Sequence, residues 1–195
     1  FNDEQIYKEL EIFLNWAFPS IMGYIPKEHV REEFLRSWKK IIPYFNYSLN
    51  SIILFDFHAD NLMWLPERKG IKRVGLLDFQ DAVYGPSIYD LVSLLEDSRR
   101  IISQGLKERM IDYYINKTRI NREKFELSYS AIAAQRNLRI IGVFCRLLVR
   151  DSKQNYLKFL PTVWSFLESN LNHPKLIDLK KWFEDNIPLS KRKFS

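Results

Sequence analysis

Apolar residues return every three or four positions over residues 3–17, so that Ile6, Leu10, Phe13 and Ala17 share one helical face behind an N-cap at Asn2 or Asp3. The same spacing recurs in KEHVREEFLRSWKKIIPYF, with Val30, Phe34, Trp38 and Ile41 or Ile42 facing inward and Pro43 closing the segment. Two amphipathic helices are therefore predicted first. The period then changes. SIILFD, NLMWLP and IKRVGLLDF are short, rich in Ile, Leu, Val, Phe and Trp, and bounded by turn signals, with ERKG between the second and the third. They predict two or three short strands, the last two forming a hairpin. Beyond Pro86 the helical spacing resumes in PSIYDLVSLLEDSRRII, in LKERMIDYYINKT, in a long segment from about Glu123 to Arg150, in NYLKFLPTVWSFLESNL and in LIDLKKWFEDNI. The expected fold class is α+β and mainly α. One domain over 1–195 would comprise a helical lead-in (1–50), a small β element with its loops (51–90) and a helical subdomain (91–195).

Composition narrows the class. A chain of 195 residues with 46% apolar and 15% aromatic residues, but only six Gly and eight Pro, has the material for one full core and no low-complexity segment. Thirty basic against twenty-four acidic residues give a net charge of +6. The charges alternate with acids along the helices, which is the mark of solvated faces rather than of a nucleic-acid surface, although a basic concave site would attract nucleotides. The single Cys145 allows no internal disulfide and no thiolate zinc site. No run reaches the roughly 18 apolar residues of a membrane span, and the opening FNDEQIYKEL is acidic and amphipathic, unlike a signal peptide. A cytoplasmic protein without a membrane segment is expected, and a first residue that is Phe rather than Met suits a chain that begins inside a longer protein.

Two predicted strands end in aspartate where they give way to loops: Asp56 after SIILF and Asp78 after IKRVGLL, with Asn61 five residues beyond Asp56. A carboxylate at a strand end is held by a rigid element yet points out of the core. Asp56, Asp60 and Asn61 are also ordinary turn formers, so a hydrogen-bonded turn is the alternative. The chemistry that uses such a set is phosphoryl transfer. One aspartate orients the acceptor hydroxyl, while an asparagine oxygen and a second aspartate hold Mg²⁺ against nucleotide phosphates. D-x4-N followed by a strand and D-F has the spacing of the kinase catalytic and metal loops.

DFHADN followed by LLDFQDAVYGPSIYDLVSLL resembles the aminoglycoside-phosphotransferase superfamily, which has a choline-kinase-like and protein-kinase-like fold. Together with HADNLMWLPER, AAQRNLRIIGVFCRLLVRD, YLKFLPTVWSFLESNL and HPKL, the series is similar to the bacterial anomeric sugar kinases that phosphorylate N-acetylmuramate and N-acetylglucosamine in cell-wall recycling. The resemblance implies an ATP- and Mg²⁺-dependent phosphotransferase acting on a sugar hydroxyl. It makes Asp56 the catalytic base, Asn61 and Asp78 the Mg²⁺ ligands, and Asp90 a structural acid that accepts hydrogen bonds from the backbone around 54–56. Leu54 stands where the family usually has a histidine, chiefly a scaffold residue. The six glycines form no G-x-G-x-x-G and no strand-borne lysine precedes Asp56, so the chain is expected to be the C-terminal lobe alone. Its partner would be an N-terminal nucleotide lobe, in cis or in trans, without which it would turn over slowly or not at all.

The remaining polar residues carry paired readings. His58 reads as a hydrogen-bonded structural residue of the loop, or as a base. Gln80 and Asp81 reach either an acceptor hydroxyl or the second metal, or Asp81 caps the next turn. Glu96, Asp97 and Arg99 read as a solvated helix face. On the long helix Gln135, Arg136, Arg139, Arg146 and Arg150 fall within a sector of about 100° on an otherwise apolar surface. Buried guanidinium groups need partners, which are either acids from a neighbouring helix or, for Arg136, the carboxylate of an acidic sugar. The arginines favour an anionic or neutral acceptor over the cationic acceptors of choline or aminoglycoside kinases. The last rival is an inactive split or degenerate lobe acting as a binding module. Of the five tryptophans, four lie at core positions on helices.

Overall fold

A computed structural model describes residues 1–192; residues 193–195, the end of the basic tail KRKFS, lie outside the described residues. Helix α1 (Asp3–Ile12) starts where Asn2 accepts the Gln5 N–H. It runs on through a π turn (Phe13–Ala17) into α2 (Phe18–Met22), which stops at Gly23 with φ 81°. The predicted helix therefore extends five residues past Ala17: in the π turn the Phe18 N–H reaches back to the Phe13 carbonyl, and Pro19, which has no N–H to donate, is placed in the first turn of α2. Helix α3 (Glu28–Ile41) gives way to a 3-10 turn (Ile42–Tyr47) that holds Pro43.

Among the described residues four strands follow, in two antiparallel pairs. β2 (Leu62–Trp64) and β3 (Val74–Leu76) form the expected hairpin, with Leu62 opposite Leu76 and Trp64 opposite Val74. β1 (Asn50–Ile53) pairs with β4 (Val83–Pro86), which local pattern does not predict because VYGP reads as a turn. Proline is tolerated there because Pro86 is the terminal residue of the strand, opposite Asn50. Residues 54–82 thus form an excursion closed at its base by the β1–β4 pair, and both loops predicted to carry chemistry lie on it.

Behind the strands lie α4 (Ile88–Leu95), α5 (Gln104–Thr118), α6 (Arg122–Asp151), α7 (Leu160–Leu171) and α8 (Ile177–Asn186). The 30-residue α6 is the axis of the core, packing against α1, the π turn, α4 and α7. Phe183 meets Phe34 and Trp182 edge to face, Phe34 and Trp182 lie tilted against each other, Trp38 and Trp164 are buried beside them, and Trp64 alone of the five tryptophans is exposed. Among the described residues no helix is long and apolar enough to cross a membrane.

One expectation fails here. The sequence placed Glu96, Asp97 and Arg99 on a solvated helix face, but α4 ends at Leu95 and both acids are buried, at 2% and 3% exposure. The Glu96 carboxylate accepts hydrogen bonds from Lys107 of α5, Tyr129 and Asn137 of α6 and Asn170 of α7. Donors from three helices replace the solvent the residue type would otherwise demand.

Candidate active site

The site begins where β1 ends. The backbone N–H groups of Leu54 and Phe55 donate to the two carboxylate oxygens of Asp90, at 2.8 and 3.1 Å, from the first turn of α4. Phe55 has φ 70°, a left-handed conformation that costs a bulky residue on the order of 1–3 kcal/mol. Its ring lies flat on Tyr89 at 4.9 Å and under the Arg139 guanidinium at 4.7 Å, so the strained residue is fixed from both sides. Tyr89 and Asp90 therefore set the loop between them. Burial pushes the Asp90 carboxyl above its ordinary range, opposed by the two N–H bonds and the charge of Arg136. The side chain of Leu54 takes no part in this anchoring, which runs through its backbone. Asp56, the residue after Phe55, turns its side chain half into solvent.

Two hydrogen bonds connect Asp56 to the second loop. Asn61 Nδ2 donates to the Asp56 carbonyl at 2.9 Å, and the Asn61 carbonyl accepts the N–H of Leu77 at 3.0 Å, next to Asp78. Asp78 is also left-handed, with φ 57°, and its Oδ1 accepts from Gln80 Nε2 at 2.6 Å. With Nδ2 engaged, Asn61 has Oδ1 to offer a ligand. Asn61 and Asp78 together supply hard oxygen donors that fit Mg²⁺, which takes few protein groups and completes its shell with water and phosphate. Among the described residues no three His, Cys, Asp or Glu side chains converge as a metal site, so a cation here would rely on that mixed set. His58 is buried behind the loop, its Nε2 at 3.5 Å from Asp56 Oδ2.

Beside the loop opens a cleft of about 250 Å³. Phe55, Asp56 and Asp81 line one side, Arg136, Arg139 and the apolar Ile140 and Val143 of α6 another, and Asp97 to Arg99 the corner after α4. Asp81 and Arg136 thus share a cavity with Asp56, whereas Gln80 is turned to Asp78. Arg136 is 5% exposed and donates only a long bond, 3.4 Å, to the Glu96 carbonyl. Burial lowers its pKa, and the charges of Glu96 and Asp56 counter that effect. Arg139 has the plainer partner of the two anticipated for this helix: Glu9 of α1 lies at 3.4 Å and also accepts from Gln135 at 2.7 Å. Burial drives the thiol of Cys145, on the same helix, up to about 12, so it stays protonated and inert. A second cleft, of about 400 Å³ between α5 and α6, touches neither loop. Sequence reasoning missed Tyr89 and Asp97; for Tyr89 the available signal was an aromatic directly before the expected structural acid.

A family model described as the phosphotransferase enzyme family matches residues 13–126. An N-acetylmuramate/N-acetylglucosamine kinase of Caulobacter vibrioides is 42% identical over 139 residues, which cover 71% of this chain and 38% of the relative. Proteins of the same description from Pseudomonas putida and Neisseria meningitidis serogroup B are 26% and 28% identical over 92% and 86% of this chain, and over 54% and 51% of their own lengths. The chain spans about half or less of the length of the relatives it matches.

Proposed function

Because the chain belongs to the phosphotransferase enzyme family, we propose that the complete protein is an ATP-dependent sugar kinase, and that this chain is its C-terminal, acceptor-binding lobe. The acceptor we propose is an N-acetyl amino sugar, phosphorylated at its anomeric hydroxyl. The observation that carries the reading is the hydrogen-bonded connection from Asp56 through Asn61 to the Leu77–Asp78 loop, beside an arginine-lined cleft.

In this reading the acceptor lies in the cleft with its reacting hydroxyl against Asp56. That carboxylate orients the hydroxyl for in-line attack on the γ-phosphorus and takes its proton as the bond from the γ-phosphorus to the ADP oxygen breaks. Asn61 Oδ1 and Asp78 would hold Mg²⁺, which neutralises charge on the phosphates when bound. Arg136 and Arg139 add positive charge to the α6 wall of the cleft and Asp56, Asp81 and Asp97 balance it elsewhere, which suits a neutral acceptor or one whose carboxylate lies against α6. The nucleotide lobe would cover a surface that is apolar. The cross-strand pair Ile52 and Tyr84 is 71% and 66% exposed, and Trp64 and Phe79 on the excursion are 63% and 59% exposed.

The test is to express the complete protein, with any coding sequence contiguous to this chain, and follow Mg-ATP with N-acetylmuramate and with N-acetylglucosamine by ³¹P NMR. A sugar 1-phosphate should form, and Asp56→Asn should slow its formation by about 10²–10⁴-fold, the usual contribution of a positioned base. Sugar phosphate no greater than in the Asp56→Asn control would overturn the assignment.

A further inference from the structure

We propose that Asp97 determines acceptor specificity, its Oδ2 accepting a hydrogen bond from a non-reacting hydroxyl of the sugar. The inference rests on the reading of the cleft as the acceptor site. Asp97 stands on the wall of that cleft, 3% exposed, in the corner after α4. Its Oδ1 accepts the Arg99 N–H at 3.0 Å and lies 3.6 Å from the Arg99 guanidinium, but its Oδ2 has no hydrogen-bond partner. A buried carboxylate oxygen without a donor is rare in a folded protein, because its lost hydration is not replaced.

The corner is not free to move and find one. Glu96, the preceding residue, is bound through its carboxylate to Lys107, Tyr129, Asn137 and Asn170, and through its carbonyl to Arg136. With the corner held, the donor we assign to Oδ2 is one that enters the cleft, a group of the acceptor or, in its absence, water. A carboxylate would be repelled by Asp97 and drawn to Arg136 and Arg139 of α6; an ammonium group would meet those two arginines and Arg99, set against Asp56 and Asp81. A hydroxyl is neutral, donates one hydrogen bond and satisfies Oδ2 without adding charge. The cleft thus sorts its ligand, with hydroxyls to the corner after α4 and any acidic arm to α6.

The experiment uses the complete protein, Mg-ATP, and N-acetylglucosamine together with its 3-, 4- and 6-deoxy analogues. Asp97→Asn should raise KM for N-acetylglucosamine about tenfold or more, the loss expected for a hydrogen bond to a charged group, while KM for ATP changes by less than about twofold. One deoxy sugar should be about tenfold worse for the unaltered enzyme yet no worse than the parent sugar for Asp97→Asn, because the two changes remove the same contact. An unchanged acceptor KM, or losses that simply add for all three analogues, overturns the proposal while leaving the kinase reading intact. If the unaltered protein phosphorylates no sugar, the kinase reading falls and this inference with it. Should Asp97→Asn fail to fold, the analogue series on the unaltered enzyme decides: no tenfold loss with any deoxy sugar removes the hydroxyl contact.

Discussion

Asp90 holds Asp56 in place without touching its carboxylate. Its two oxygens take the N–H groups of Leu54 and Phe55, and no other acceptor in the loop replaces them. Asp90→Ala should therefore destabilise the fold by about 2–4 kcal/mol at neutral pH, from two amides left without partners, measurable by urea denaturation. The effect should depend on pH. Burial raises the Asp90 carboxyl above its unfolded value of 3.8, so the folded state binds the proton more readily and the native protein gains stability relative to Asp90→Ala as the pH falls from 7 towards 4. A gap that narrows on acidification would contradict this. Asp56, Asn61, Asp78 and Asp90 could all be picked out from the sequence, because strand ends, fixed spacing and a family series are local or ordered signals. Glu96 and Asp97 could not. Their residue type says solvent, and only donors that are 11 to 74 residues away reverse that reading for Glu96. For Leu54, the residue that departs from the family pattern, the contribution visible here is made by the backbone, which any side chain provides.

At the level of elements, the site depends on how closely α6 can lie against the N-terminal helix. The contact is at Gly142, where an added Cβ would stand 2.8 Å from the Phe13 nitrogen and 2.9 Å from the Ile12 carbonyl carbon, at the start of the π turn. Backbone on a packed helix cannot yield as a flexible side chain can. Gly142→Ala should push the two helices apart and destabilise the protein by about 1–3 kcal/mol, read as a lowered thermal midpoint, despite the better helix propensity of alanine. An unchanged or higher midpoint would show that the crossing has slack. The helical spacing revealed both partners of this contact, but not the π turn, which depends on their packing. The hairpin was legible for the opposite reason, since its strands are neighbours in sequence and residues 65–73 between them carry the turn signal ERKG. β4 was not, because its partner is β1, across an excursion of 29 residues, and its own four residues end in Gly-Pro. α4 was read too long because the apolar period runs into Glu96, where φ −117° and ψ 39° end the helix.

For the molecule as a whole, in the proposed reading every group assigned to acceptor and metal lies on this chain and the nucleotide belongs to a second lobe. The isolated chain should accordingly transfer phosphate to N-acetylglucosamine at least about 10²–10³-fold more slowly than the complete protein, the effect of losing a preorganised phosphate clamp. Equal rates would sink the lobe assignment. The pairing of Phe55 with Tyr89 and Asp90 has one more consequence, which is entropic. The loop's torsional freedom is surrendered once, when the chain folds, rather than at every encounter with substrate. Ligand binding then has no loop left to freeze, so its temperature dependence should reflect desolvation of a preformed cleft instead of the ordering of a disordered one.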